Sequence, residues 1–111
     1  MLNQKIRVSK RSIREGVQEE CLLCPVALAV RKALRVPVGR VVVDSNTIIV
    51  NDYEGLAAYQ MPCSTRVKKF ISRFDKTFEK GHFFGSGRRV HFKKDIQPIN
   101  FILNLQKIDN V

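Results

Sequence analysis

The sequence predicts an α+β fold, a single small domain over residues 1–111 with a mainly antiparallel sheet packed against a buried helix and an amphipathic basic helix. Three observations predict it. Every residue from Val26 to Val30 is apolar, and Ala33 and Leu34 extend the run; a helix apolar nearly all round is a buried one. Short β-branched segments lie on either side of it, bounded by turn residues. Val67, Phe70, Ile71 and Phe74 recur at i, i+3, i+4 and i+7, which is one face of a second helix. At 111 residues the chain supplies one core and not two.

Taken in order, Ile6 and Val8 alternate with Lys5 and Arg7, as in a strand with one buried face. Ser9 can cap a helical turn, Lys10 to Glu15, that stops at Gly16. Lys10, Arg11 and Arg14 make this turn basic although cations near a helix start oppose its dipole; a solvated surface and an anion patch are both open readings. Pro25 suits the first position of the buried helix, with Cys24 starting it and Cys21 packed one turn earlier. The helix leaves the core through Arg31, Lys32 and Arg35, cations that suit its negative end. Pro37 and Gly39 break the chain. Val41 to Val50 reads as a hairpin turning near Ser45-Asn46, Asp52 to Gly55 as a second turn, and Leu56 to Met61 as a third strand ended by Pro62. Ser64 or Thr65 caps the amphipathic helix, whose Arg66, Lys69, Arg73 and Lys76 form a second, basic line widened by Lys68. Residues 80–94 hold Gly81, Gly85 and Gly87 and read as an open loop or hairpin tip, with Val90 to Phe92 entering a strand. Ile99, Phe101, Leu103 and Leu105 alternate with polar residues in a final strand. Asp75 is expected to pair a nearby lysine or to cap its helix.

The string Glu15-Gly-Val-Gln-Glu-Glu-Cys21-Leu-Leu-Cys24-Pro-Val-Ala-Leu-Ala29 resembles a family of short, uncharacterised phage-encoded proteins, in which a C-x-x-C-P-[IV]-A-L-A helix start follows a short strand and a helical turn. A strand or hairpin, a helix similar to Phe70–Asp75 and an apolar end strand extend the resemblance over roughly Lys5 to Leu105, though only the cysteine–proline string is specific. It implies phage origin, and so the cytoplasm of an infected bacterial host, and names no activity. The chain departs from the family in its basic charge and in the glycine-rich segment after Asp75.

Charge carries the functional signal. Lys and Arg number 20 against 10 Asp and Glu, a net +10 that favours nucleic acid, nucleotides, anionic lipid or an acidic protein surface. Residues 66–94 hold ten of those cations and only two acids, Asp75 and Glu79. The candidate anion-binding residues are therefore Arg66, Lys69, Arg73, Lys76, Lys80, Arg88, Arg89, Lys93 and Lys94, with His82, Phe83 and Phe84 interleaved as stacking groups. The loop glycines would let backbone N–H groups approach a phosphate, but they lead into no clear helix, so neither a P-loop nor a dinucleotide fold is predicted. The plainer reading makes the phenylalanines core or subunit contacts and the cations a solubilising surface.

Cys21 and Cys24 have C-x-x-C spacing, and Cys63, His82 and His91 are the residues that would complete a zinc site. A lone C-x-x-C with no matching second pair favours structural thiols, and no cofactor is expected. Three cysteines are too few for a disulfide framework, which suits a reducing compartment. No apolar run has the length of a membrane span, and residues 1–7 lack the apolar core of a signal peptide. No Ser, Cys or His is spaced with a partnered acid, and Glu19-Glu20 face different ways on a helix, so a non-enzyme is expected. The function predicted is a phage-type accessory protein that binds nucleic acid, or another phosphate-rich anion, through residues 66–94. The alternatives are a counter-defence protein sequestering a small anionic nucleotide and an inhibitor that docks on an acidic host protein through Phe83 and Phe84. No membrane partner is expected; an oligomer is compatible with unpaired sheet edges.

Overall fold

A computed structural model describes residues 3–51, 58–77 and 93–108, with the side chain of Lys94 excepted. The fold is α+β: β1 (Gln4–Val8), α1 (Lys10–Glu15), α2 (Pro25–Leu34), β2 (Val41–Val43), β3 (Thr47–Asn51), β4 (Ala58–Pro62), α3 (Thr65–Asp75), a 3-10 turn at Lys93–Asp95, β5 (Ile99–Leu103) and β6 (Gln106–Lys107). The expected turn at 52–55 and the loop, glycines and strand entry of residues 80–92 lie outside the described residues.

The strands form two antiparallel sheets where the sequence suggested one. β1 pairs with β5, and the four-stranded sheet runs β2-β3-β4-β6. In the first sheet Ile6 faces Phe101 in register and Gln4 faces Leu103; Ile6, Val8, Phe101 and Leu103 are buried, while Lys5, Arg7 and Ile102 point outward. The β2–β3 hairpin turns where the sequence places it. Asp44 fixes the turn, its carboxylate accepting the N–H groups of Asn46 and Thr47, each at 2.7 Å.

Pro25 is the first residue of α2, where its missing N–H costs no helical hydrogen bond. Cys24 is the N-cap, its sulfur accepting the Ala27 N–H at 3.4 Å. Val26, Ala27, Ala29 and Val30 are buried, and α2 packs against α1, β1 and β2. Leu28 remains half-exposed, so α2 has one wet edge before its basic end. Cys21 is exposed rather than packed, and it is its carbonyl that holds structure, accepting the Val43 N–H at 2.9 Å. Ser9 caps α1 as expected, accepting the Ser12 N–H at 3.1 Å.

Candidate nucleic-acid interface

Helix α3 carries the candidate surface because its other face is committed to the core. Ser64 caps it, accepting the Val67 N–H at 3.3 Å, and Val67, Phe70, Ile71 and Phe74 are buried together. The Phe70 and Phe74 rings lie stacked with centroids 6.4 Å apart, which fixes the rotation of the helix. Arg66, Lys69 and Arg73 consequently stand exposed on the remaining face, with Lys68 beside them and Lys76 at the C-cap. The first turn of α3 contains no acid, so the positive end of the helix dipole and the cations act with the same sign. From Arg66 to Arg73 the helix rises about 10 Å at about 1.5 Å per residue.

β1 and β5 extend this line across the sheet. Arg66 donates to the Asn100 carbonyl oxygen at 3.4 Å, and Arg7 donates to the Asn100 side-chain oxygen at 3.5 Å. Asn100 is thus the meeting point of a helix cation and a strand cation. Lys5 and Arg66 line a groove of about 460 Å³ with Asn100, Phe101 and Ile102. On its other side Arg66 joins Lys69 and Arg73 along a groove of about 430 Å³ whose far wall is Ile96, Gln97 and Ile99. Among the described residues no carboxylate lines either groove. Ile102, 52% exposed, leaves an apolar platform beside Lys5.

No protein family, curated protein or solved structure matches the chain. The chemistry of the surface has to carry the functional reading.

The sequence-predicted residues divide into three groups. Arg66, Lys69, Arg73 and Lys76 share the exposed side of α3 as expected. Lys80, His82, Phe83, Phe84, Arg88 and Arg89 lie outside the described residues, as does the side chain of Lys94. Lys93 is placed elsewhere: its ammonium donates to the carbonyl oxygens of Gly16 at 2.6 Å and Arg14 at 3.3 Å and lies 5.6 Å from the Phe74 ring centroid. These contacts tie Lys93 to the end of α1. Asp75 accepts the Glu19 N–H at 3.0 Å, which ties the end of α3 to the segment before α2. Lys5 and Arg7 are the residues that reading segment by segment overlooked. Their outward alternation was visible, but not the strand pairing that brings them to α3.

The cysteines are unlike one another. Burial pushes the Cys24 thiol up to about 11, outweighing the Ala27 N–H that favours its thiolate. Burial also raises Cys63, with Asp44 adding to the shift. Cys24 is therefore a protonated helix cap near neutral pH, a poor nucleophile and a poor zinc ligand without rearrangement. Among the described residues no three His, Cys, Asp or Glu side chains lie together as a metal site would need. No helix among them is long and apolar enough to cross a membrane.

Proposed function

We propose that the protein is a non-enzymatic nucleic-acid-binding protein whose interface is the basic band of Lys5, Arg7, Arg66, Lys69 and Arg73. The observation that carries this reading is the convergence at Asn100 of cations from β1 and α3, flanked by two grooves lined by no carboxylate among the described residues. Structural cations are ordinarily balanced by acids nearby; a band without them favours a polyanion that supplies the missing charge. The ~10 Å run along α3 covers about three phosphate steps of one duplex strand, taken along the axis at ~3.4 Å each. Exposed Ile102 gives one unstacked base an apolar surface at the edge of the band. In sequence the band leads on through Lys76 to the aromatic and arginine-rich residues 80–94. Service as an accessory protein in a phage-infected cell is part of the proposal, and it rests on the resemblance of residues 15–29 alone.

Binding of the nuclease-treated protein to fluorescent single-stranded DNA, duplex DNA and RNA over a salt series tests the proposal. Each cation removed from the band should flatten the slope of log K against log salt by about 0.7 to 0.9. The triple change Arg66→Ala, Lys69→Ala, Arg73→Ala should therefore weaken binding strongly at low salt, and Arg88→Ala with Arg89→Ala locates any further contribution. Absence of polymer binding at low salt, or binding untouched by the triple change, would refute it.

A further inference from the structure

A second basic cleft lies between α1 and α2 and shares no lining residue with the grooves along α3. Arg11 of α1 stands on one side, and Arg31, Lys32 and Arg35 at the end of α2 stand on the other. Among the described residues the one carboxylate in its wall is Glu15, held by Arg11 at 3.2 Å in an exposed pair that a stronger anion can displace. Cations at the end of α2 also complement the helix dipole, which explains their sign. It does not explain two further features. The Arg31 Nε is buried, and no hydrogen-bond acceptor among the described residues meets it. Buried donors are nearly always satisfied, so an arginine that lines a cleft while one of its donors stays open is a side chain with hydrogen-bonding capacity to spare there. Arg35, moreover, adopts φ 57°, ψ 48°, a left-handed conformation that favours glycine or asparagine at this cap, yet the chain carries arginine there.

We infer that this cleft is a separate site for a small polyphosphate-bearing ligand of the nucleoside di- or triphosphate class. Its volume of about 460 Å³ lies within the ordinary range of small-molecule pockets, roughly 300 to 1,000 Å³. Arginine forks from two helices converge on it, as phosphate groups require. Leu28 and Val36 supply the aliphatic wall against which a base can lie. Arg31 is the anchor, because its half-buried guanidinium lines the cleft and small movements of it bring a phosphate to donors the fold leaves open, and Lys32 and Arg35 neutralise the remaining charge.

Titration calorimetry of the nuclease-treated full chain with ATP, AMP and inorganic tripolyphosphate tests the assignment. ATP is expected to bind saturably, one per chain, more tightly than AMP, with tripolyphosphate competing for the same site. Arg31→Gln and Arg35→Gln should each weaken ATP binding about tenfold or more. Lys32→Gln, at an exposed position, should weaken it without altering the melting temperature, which guards against misfolding of the Arg31 variant. Lys69→Ala with Arg73→Ala should leave ATP binding intact while weakening polymers. ATP binding without any polymer binding would refute the α3 interface and leave the cleft standing. The cleft assignment is overturned if neither ATP nor tripolyphosphate binds saturably, or if the α3 variant loses ATP as the cleft variants do.

Discussion

The Lys93 ammonium donates a 2.6 Å hydrogen bond to the carbonyl oxygen of Gly16, 77 residues earlier in the chain. With its second bond to the Arg14 carbonyl at 3.3 Å, it satisfies acceptors at the end of α1 that the helix cannot satisfy itself. Charged donors make the stronger protein hydrogen bonds. Lys93→Met should therefore lower stability by about 1–3 kcal/mol, read as a lower urea midpoint at unchanged slope. An unchanged midpoint would mean that water serves those carbonyls equally well.

Gly16 is buried against the proline that starts α2. A Cβ built on it would lie 2.6 Å from the Pro25 Cδ and Cγ atoms, and the rigid ring cannot turn away. Its φ of −69° is open to any residue, so the constraint is space alone. Gly16→Ala should cost about 1–3 kcal/mol by forcing α1 from α2, measurable by thermal or urea unfolding.

Gln18 and Thr77 form a buried pair that ties the segment before α2 to the end of α3. Gln18 Nε2 donates to Thr77 Oγ1 at 2.7 Å, and the Thr77 hydroxyl donates to the Phe74 carbonyl at 2.7 Å. Thr77→Val should cost about 1–3 kcal/mol because it leaves the Gln18 amide without this acceptor, while Gln18 Oε1 has no partner among the described residues. Adding Gln18→Met should recover part of that loss. A double-mutant cycle with zero coupling energy would show that the two side chains act independently.

Cys24 gives stability a pH dependence of known sign. Its thiol is raised to about 11 in the folded protein, so the folded state holds this proton where the unfolded chain releases it. The contribution is complete below the ordinary thiol range, near pH 8.5, and declines as pH rises towards 11. Unfolding titrations from pH 8 to 11 should show a larger loss for the native chain than for Cys24→Ser, which keeps a capping oxygen and lacks the titration. Parallel curves would remove Cys24 as the cause. At pH 8, exposed Cys21 should react with a thiol reagent well before Cys24 or Cys63.

Local pattern revealed the elements and missed most of what joins them. Pro25, Ser9 and Ser64 mark helix starts by their own chemistry, and the four-residue apolar spacing of α3 fixes which side its cations occupy. Those features depend on neighbours in sequence, so they were legible. Division into two sheets was not, because the choice of partner for β1 depends on residues near the other end of the chain. The same distance hid Lys5 and Arg7 from the basic band. The contact that Lys93 makes was hidden for the same reason: its charge is visible in sequence, but the Gly16 carbonyl it meets is not. The cleft between α1 and α2 was half visible, in cations noted on both helices that nothing local brings together.

Pairing β1 with β5 also gives the fold contacts between residues far apart in sequence. Arg7 and Asn100 are 93 residues apart, whereas the β2–β3 hairpin closes over a few residues. By chain statistics the long closure costs about 2–3 kcal/mol more in entropy than the short one. Contacts that demand such a closure tend to form after local ones, so the hairpin and α2 should be organised in the transition state before β1 docks. Val50→Ala would then chiefly slow folding, and Ile6→Val would chiefly speed unfolding, a contrast visible in the two arms of a chevron plot. The basic band, which needs β1 in place, would be among the last surfaces of the molecule to exist.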